Sequence, residues 1–568
     1  MVSTAGRRDA WMRRARTALG VVLFSAAGCT GRVASSPARR PKAPPTGDRA
    51  MTLASAKAGA RDLGPLDTNT RLRIVLGLTG QRSGEEADAI AAGQRVTEAQ
   101  YDAEFGPRPA TARDVVARLK AFGIQGSWSP GSALVRASGT VGSVERAFGV
   151  RIDRYARADG ASFYGPTSAP HLSGVPADAV SSIMGLDDAQ QVVGLDRVLR
   201  SSGSGLPGGY TPDQVLGAYH FAPLYAAGLD GSGQTIVFLE FDKFDRSHLA
   251  RFTQAFGQAP ISVTTSSDDA WGSPEDPSGE ADMDLEIAHS VAPKAHLVVV
   301  YADSGVDDLT SALSDAVGNY PTAIFSISLG GCAGNGIDSG ASAWDDVLKH
   351  LALVGGTALV SSGDQGAFTC TPGSSGLLTP SASSPADDPY ATAVGGTSLF
   401  VGPDNSYQSE ASWGSSMTQS GSGGGLSPTW RMPGYQAGSD DRDPYANGKR
   451  QLPDVAAVSD PTTGWDIYTA GGWDIQAGTS AGAPLWAGLM ALTDQSARLH
   501  GVSSVGFANP IIYAIGKSPA RYATAFHDIT LGNNLFYPAK AGWDFATGWG
   551  SPDGAGFVDT YLSYRAHP

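Results

Sequence analysis

The chain has 568 residues, with 41 Lys and Arg against 55 Asp and Glu, giving a formal charge of −14. This length leaves room for about two to four domains. The acidic balance argues against nucleic acid as a partner, because phosphate contacts need a basic surface. Past one N-terminal stretch there is no apolar run of membrane-spanning length, which excludes a polytopic membrane protein. Three cysteines cannot build a disulfide scaffold, and 73 Gly with 35 Pro point to turns and long ordered loops rather than a helical bundle.

Residues 1–28 have the layout of an export signal. Arg7, Arg8, Arg13, Arg14 and Arg16 precede an apolar stretch over 18–27, and small residues close it. The expected location is therefore secreted or extracellular. Ala26-Ala27-Gly28-Cys29 also resembles a bacterial lipobox, in which Cys29 would carry a lipid anchor to the envelope. Both readings stay open. Residues 29–68 are expected to be a flexible tether, rich in Ser, Pro, Arg and Lys over 30–50. Cys332 and Cys370 then remain, either as a disulfide or as two buried thiols.

From 69 to 190 the pattern is a small α+β domain. Apolar runs over 72–78, 132–137 and 151–155 read as strands, and helical spacing appears over 111–122 and 140–148. This mix predicts a split βαβ, ferredoxin-like sandwich. Residues 191–209 read as a linker, ending in the Gly- and Ser-rich run 201–209, a good protease target. From 210 to 568, short apolar strands at 235–239, 296–300, 323–327 and 358–360 alternate with helical or Gly-rich segments. They predict one large α/β domain around a buried parallel sheet.

Three motifs carry chemistry. Gly478-Thr479-Ser480-Ala481-Gly482-Ala483-Pro484 leads into an apolar run, which puts Ser480 at a helix N-terminus, where developing negative charge is favoured. A plain helix cap would explain the same letters. A nucleophilic Ser needs a base, yet none of the nine His residues sits in a convincing motif. In Gly279-Glu280-Ala-Asp282-Met-Asp284-Leu-Glu286, Glu280 and Asp284 share one helical face. Two carboxyls so placed repel unless they share a proton, which raises a pKa and suits one of them as a base in acid. By itself this stretch reads more simply as a solvated acidic helix end, where acids are favourable anyway. Asp364, in Ser361-Ser362-Gly363-Asp364-Gln365-Gly366, follows an apolar strand and should stand at the C-terminal edge of the sheet; an Asp in a Gly turn is the plainer reading.

The three motifs, in this order, resemble the sedolisin family of serine-carboxyl peptidases, near its kumamolisin-like members. The likeness extends to 72–188, similar to that family's activation prodomain, and to Tyr210-Thr211-Pro212, similar to a mature start. It implies a subtilisin-like parallel sheet with helices on both faces over 210–568, preceded by the prodomain over 69–190 and a processing region over 191–209. It implies Ser480 as nucleophile, Glu280 as general base, Asp284 orienting Glu280, and Glu240 extending the network. Asp364 would stand where a protonated carboxyl donates to the oxyanion, which demands low pH. One departure is Leu329 after Ser326-Ile327-Ser328, where the family often has Trp; it weakens the case for Glu240.

The resemblance also implies one structural Ca²⁺, held by Asp528 and Asp544 with backbone oxygens of Ile529, Lys540 and Gly542, a hard-oxygen set. The expected partners are protein or peptide substrates and the chain's own prodomain as intramolecular inhibitor, with no nucleic acid, in a monomer that cleaves itself in or near 201–209. Two rivals are an inactive sedolisin-like surface or binding protein, and an esterase reading of Gly478-x-Ser480-x-Gly482 as a nucleophile elbow.

Overall fold

The computed structural model describes residues 56–57, 59–157, 160–189, 192–200, 206–267, 279–303, 305–334, 339–370, 378–439 and 443–566. The export signal, the lipobox with Cys29 and most of the expected tether lie outside these residues, as does part of the 201–209 run. Among the described residues no helix is long and apolar enough to cross a membrane. The tether is shorter than expected. Arg61–Pro65 is a strand paired antiparallel with Ile152–Ala156, with an irregularity between Asp62 and Gly64. It lacks apolar alternation, so only its partner strand defines it.

The N-terminal domain is built in the order strand Arg71–Leu78, helix Pro109–Ala121, strand Gln125–Ser127, strand Leu134–Thr140, helix Val141–Phe148, strand Val180–Met184. The sheet runs 125–127, 134–140, 71–78, 180–184 with every neighbour antiparallel. This is the expected ferredoxin-like βαββαβ arrangement. Pro109 starts its helix where no N–H is needed. The two helices turn Ala112, Val115, Leu119, Val141, Val144, Ala147 and Phe148 onto one face of the sheet. On the other face Val75, Leu134 and Met184 meet Ala343 of the large domain. Charged contacts rim this junction: Arg73 with Asp303 at 2.7 Å, Arg136 with Asp315, and Glu98 with His350 at 2.9 Å.

The large domain is organised by an eight-stranded sheet. Parallel neighbours run 263–267, 296–301, 235–240, 324–327, 357–361 and 392–401. The last strand also pairs parallel with Val455–Val458 and antiparallel with Tyr407–Ser412. Alternation along one strand shows that both faces are covered. Ile236 and Phe238 enter one apolar core with Leu285 and Leu489, whereas Val237 and Leu239 enter the other with Leu313 and Leu348. The central strands are therefore largely apolar, and the polar groups of the site stand at or beyond their ends. Glu240 ends one strand, Ser328 follows a second and Asp364 follows a third.

Cys332 and Cys370 are bridged, which settles the pairing the sequence left open. The bridge closes a separation of 38 residues, and loop-closure entropy of that length stabilises by ~3–4 kcal/mol. The double variant Cys332→Ser/Cys370→Ser is expected to melt several degrees lower by calorimetry. An unchanged Tm would show that the bridge is not formed in the folded protein.

Candidate active site

The helix Glu280–Val291 carries the acidic motif, and every residue of it is buried. The solvated-end reading fails here: Glu280 is 2 % exposed, and Asp282, Asp284 and Glu286 are fully buried. The helical period divides the four carboxyls between two faces. Asp282 accepts from the Asp245 amide at 2.9 Å and lies 2.7 Å from His248 Nδ1. Glu286 accepts from the Tyr468 amide at 3.1 Å. Glu280 and Asp284 turn the other way, toward Ser480 and Ser328. Gly279 begins the helix at φ 117°, a conformation that favours glycine.

Ser480 is the second residue of the helix Thr479–His500. Pro484 sits four residues on and has no N–H to offer the Ser480 carbonyl. The Ser328 hydroxyl lies within reach of both groups, donating to Asp284 Oδ2 at 2.6 Å and standing 3.3 Å from Ser480 O. Ser480 Oγ donates to the Ser328 carbonyl at 3.3 Å. Neither Glu280 oxygen has a partner in good alignment, yet the Ser480 hydroxyl is close enough to pull the Glu280 pKa down. Asp364 Oδ1 accepts from the Thr479 amide and hydroxyl, both at 2.8 Å. The same hydroxyl accepts from Gly363 N at 3.1 Å and so ties the two motifs together.

Residues 193–200 run through this site. Val193–Gly194 pairs antiparallel with Leu329–Gly330, and Arg197–Arg200 pairs antiparallel with Gly472–Ala477. Between them, Leu195 N donates to Ser328 O at 3.3 Å, and Leu195 O accepts from Ser480 N at 3.4 Å. A Cβ at Gly478 would run into both Leu195 O and Asp364 Oδ2, so those two oxygens converge and only glycine fits beneath them. Arg197 Nε stands 3.3 Å from Asp364 Oδ2. Asp196 reaches Glu280 closely enough for a hydrogen bond.

The chain matches the family model described as "Pro-kumamolisin, activation domain" over residues 58–189. It is 31% identical over 542 residues to kumamolisin of Bacillus sp. (strain MN-32), covering 89% of this chain and 94% of that one. To sedolisin of Pseudomonas sp. (strain 101) it is 30% identical over 480 residues, covering 80% and 79%. This chain belongs to the sedolisin family of serine-carboxyl peptidases. A solved structure of Pseudomonas sedolisin, complexed with two molecules of pseudo-iodotyrostatin, superposes with TM-score 0.54 at 29% identity, covering 64% of this chain and 99% of that one. The activation domain ahead of the peptidase gives this family member a zymogen layout.

The electrostatics of this peptidase follow from burial. Burial, then the charges of Asp196, Asp284 and Glu240, hold the Glu280 carboxyl well above its ordinary pKa. Asp284 is raised by burial and relieved by its hydrogen bonds to Ser328 and Glu240. Burial and the Asp284 charge raise Glu240, so Glu240 joins the network although Leu329 stands in place of an indole. Burial pushes Asp364 up to about 6 against the pull of Arg197 and Thr479.

Ser480, Glu280, Asp284 and Asp364 are thus brought together, although they come from three separate stretches of chain. Among the described histidines, His248 engages Asp282, His289 Ala259 O, His350 Glu98 and His500 Ser496 O, none of them Ser480. The elbow reading gains no imidazole from them. Sequence reasoning missed Ser328, Asp196 and Arg197. Ser328 lay in a segment read only for its missing Trp, and the other two carry no motif.

Ser328→Ala would leave Asp284 Oδ2 without its donor in a buried site, a loss of about 1–3 kcal/mol. The expected result is a lower Tm and a lower kcat with KM nearly unchanged, read by calorimetry and peptide hydrolysis. Wild-type values for both would show that this hydroxyl does not support Asp284.

Proposed function

We propose that this peptidase is exported as an acid-activated zymogen of a serine-type endopeptidase, with Ser480 as nucleophile and Glu280 as general base. Asp284 orients Glu280, and protonated Asp364 joins the Ser480 amide as oxyanion donor. The observation that carries the reading is the lie of Leu195, whose N–H and carbonyl engage Ser328 O and Ser480 N as a substrate residue would. The bond that follows it, Leu195–Asp196, is then the first one cut, rather than one within 201–209. Export agrees with the Cys332–Cys370 bridge, since disulfides persist in oxidising compartments.

The chemistry needs two opposite protonation states at once. Ser480 Oγ attacks the carbonyl carbon while Glu280 takes the hydroxyl proton and later gives it to the leaving amine. The oxygen gains negative charge, which a protonated Asp364 stabilises and an ionised one repels; one such donor is worth about 10²–10³ in kcat. Asp364 has its pKa near 6, so it keeps its proton only in acid. In the zymogen Arg197 favours the ionised form of Asp364, and Asp196 keeps the proton on Glu280. Both reacting carboxyls are therefore biased toward the unproductive state, and acid overcomes the bias on Asp364.

A calcium ion is part of the proposal. Among the described residues no cluster of three or more His, Cys, Asp or Glu is poised for a metal, but Ca²⁺ needs only hard oxygens. Asp528 Oδ1 accepts from Gly542 N at 3.0 Å, and Asp544 Oδ2 from Lys540 N at 2.9 Å, so one short loop joins both carboxylates. Burial pushes Asp544 up to about 7, and a cation would favour its ionised form. These two, with the carbonyls of Ile529, Lys540 and Gly542, fit the ion, which would brace the loop and take no part in the reaction. Chelation with EDTA is expected to lower Tm by about 5 °C, reversibly on adding Ca²⁺. A Tm indifferent to both would remove calcium from this protein.

Acidification of the purified full chain to about pH 4, within the carboxyl range, tests the processing scheme on a gel and by N-terminal mass analysis. The first new N-terminus is expected at Asp196, and Ser480→Ala should stay intact. Because Arg197 lowers the Asp364 pKa, Arg197→Ala raises it, and processing should persist to higher pH than in wild type. Cleavage of Ser480→Ala at the wild-type rate without added protease, or an Arg197→Ala profile superimposed on wild type, would overturn it.

A further inference from the structure

The catalytic helix lacks an ordinary cap. Gly279 has no side chain with which to accept from the free amides of the first turn. Two of the four are taken by Asp242, which lies two residues beyond the strand Thr235–Glu240 and is 1 % exposed. Asp242 Oδ2 accepts from Gly279 N and Asp242 Oδ1 from Ala281 N, each at 3.1 Å. Glu280 stands between these two residues, at the helix terminus that attracts carboxylates most strongly.

A carboxylate in that position has two places to go. It can fold back onto its own helix amides, or it can extend to Ser480. The first is the more favourable for an isolated helix, because charge-assisted bonds to free amides are strong. Here two of those donors are already engaged by Asp242, and the Glu280 oxygens are left without an aligned partner.

We propose that Asp242 is a positioning residue for the acyl-transfer site, occupying the head of the catalytic helix so that Glu280 stays off its own amides and extends to Ser480. The inference rests on the roles proposed above for Glu280 and Ser480. The groups that face Glu280 come from every neighbouring element: Asp284 from its own helix, Glu240 and Asp242 from the strand end, Ser480 from the second helix, and Asp196 from the prosegment until it is cut away. The Asp242 charge also bears on Glu240 and Asp284. Loss of Asp242 would free two amides for Glu280 and remove a negative charge nearby. Both changes favour the ionised form of Glu280.

The test is the pH dependence of peptide hydrolysis by the full chain after acid processing, with active enzyme counted by titration. In Asp242→Ala, kcat should fall about tenfold to a hundredfold with KM within about threefold, since a misplaced base forfeits part of general-base catalysis. The low-pH limb of kcat/KM, which reports the base, should move down by about one pH unit. Asp242→Asn keeps one acceptor oxygen and should fall between Ala and wild type in both readings; it carries the test if the Ala variant does not fold. A low-pH limb that stays at the wild-type position in these variants, with or without a loss of kcat, would reduce Asp242 to a structural cap. Failure of the underlying peptidase reading looks different, because wild type itself would then hydrolyse no peptide.

Discussion

Four carboxyl groups on one helix are taken out of water, and the rest of the site is an answer to that constraint. An isolated buried carboxylate is so unfavourable that it must be neutralised, paired or supplied with donors. The outer pair is supplied: Asp282 has His248 and the Asp245 amide, and Glu286 has the Tyr468 amide. The inner pair is deliberately under-supplied. Asp284 has one serine hydroxyl and the shared bond with Glu240, while Glu280 has no aligned donor at all. Protons, rather than fixed cations, must balance these charges.

The same constraint gives the prosegment its hold. Its backbone completes two strand pairings across the cleft, which any extended peptide would do. Its side chains add what an ordinary substrate need not. Asp196 brings a further carboxyl to Glu280, and Arg197 brings a cation to Asp364. A segment that crosses the site thus bears on the charge of both Glu280 and Asp364. Under the proposed function, latency is electrostatic as well as steric, and it ends where Asp364 and Asp196 take up protons.

Short sequence signals perform long-range work in this arrangement. Pro484 frees the Ser480 carbonyl, and the Ser328 hydroxyl donates to Asp284 within reach of that carbonyl. Thr479 bridges Gly363 and Asp364, so the Asp364 carboxyl and the helix that carries Ser480 are fixed in one frame. Gly478 matters because a side chain there would displace the Leu195 carbonyl. Each of these residues is explained by what it touches, and none by its own helix or strand preference.

The sequence alone determined the parallel sheet, the ferredoxin-like prodomain and the placement of Ser480, Glu280, Asp284 and Asp364 on their elements. Apolar runs, the helical period and small residues at strand ends are local patterns, and local sterics and solvation enforce them. Whether the acidic helix faced solvent or core could not be read locally, because its two inward carboxyls look the same as a wet face until other chain segments cover them. Only the folded chain decided that Asp242 caps a helix beginning 38 residues later, that Ser328 reaches Asp284, and that Leu195 meets Ser480. Those contacts join residues far apart in sequence, and packing selects them without leaving any periodic trace along the chain.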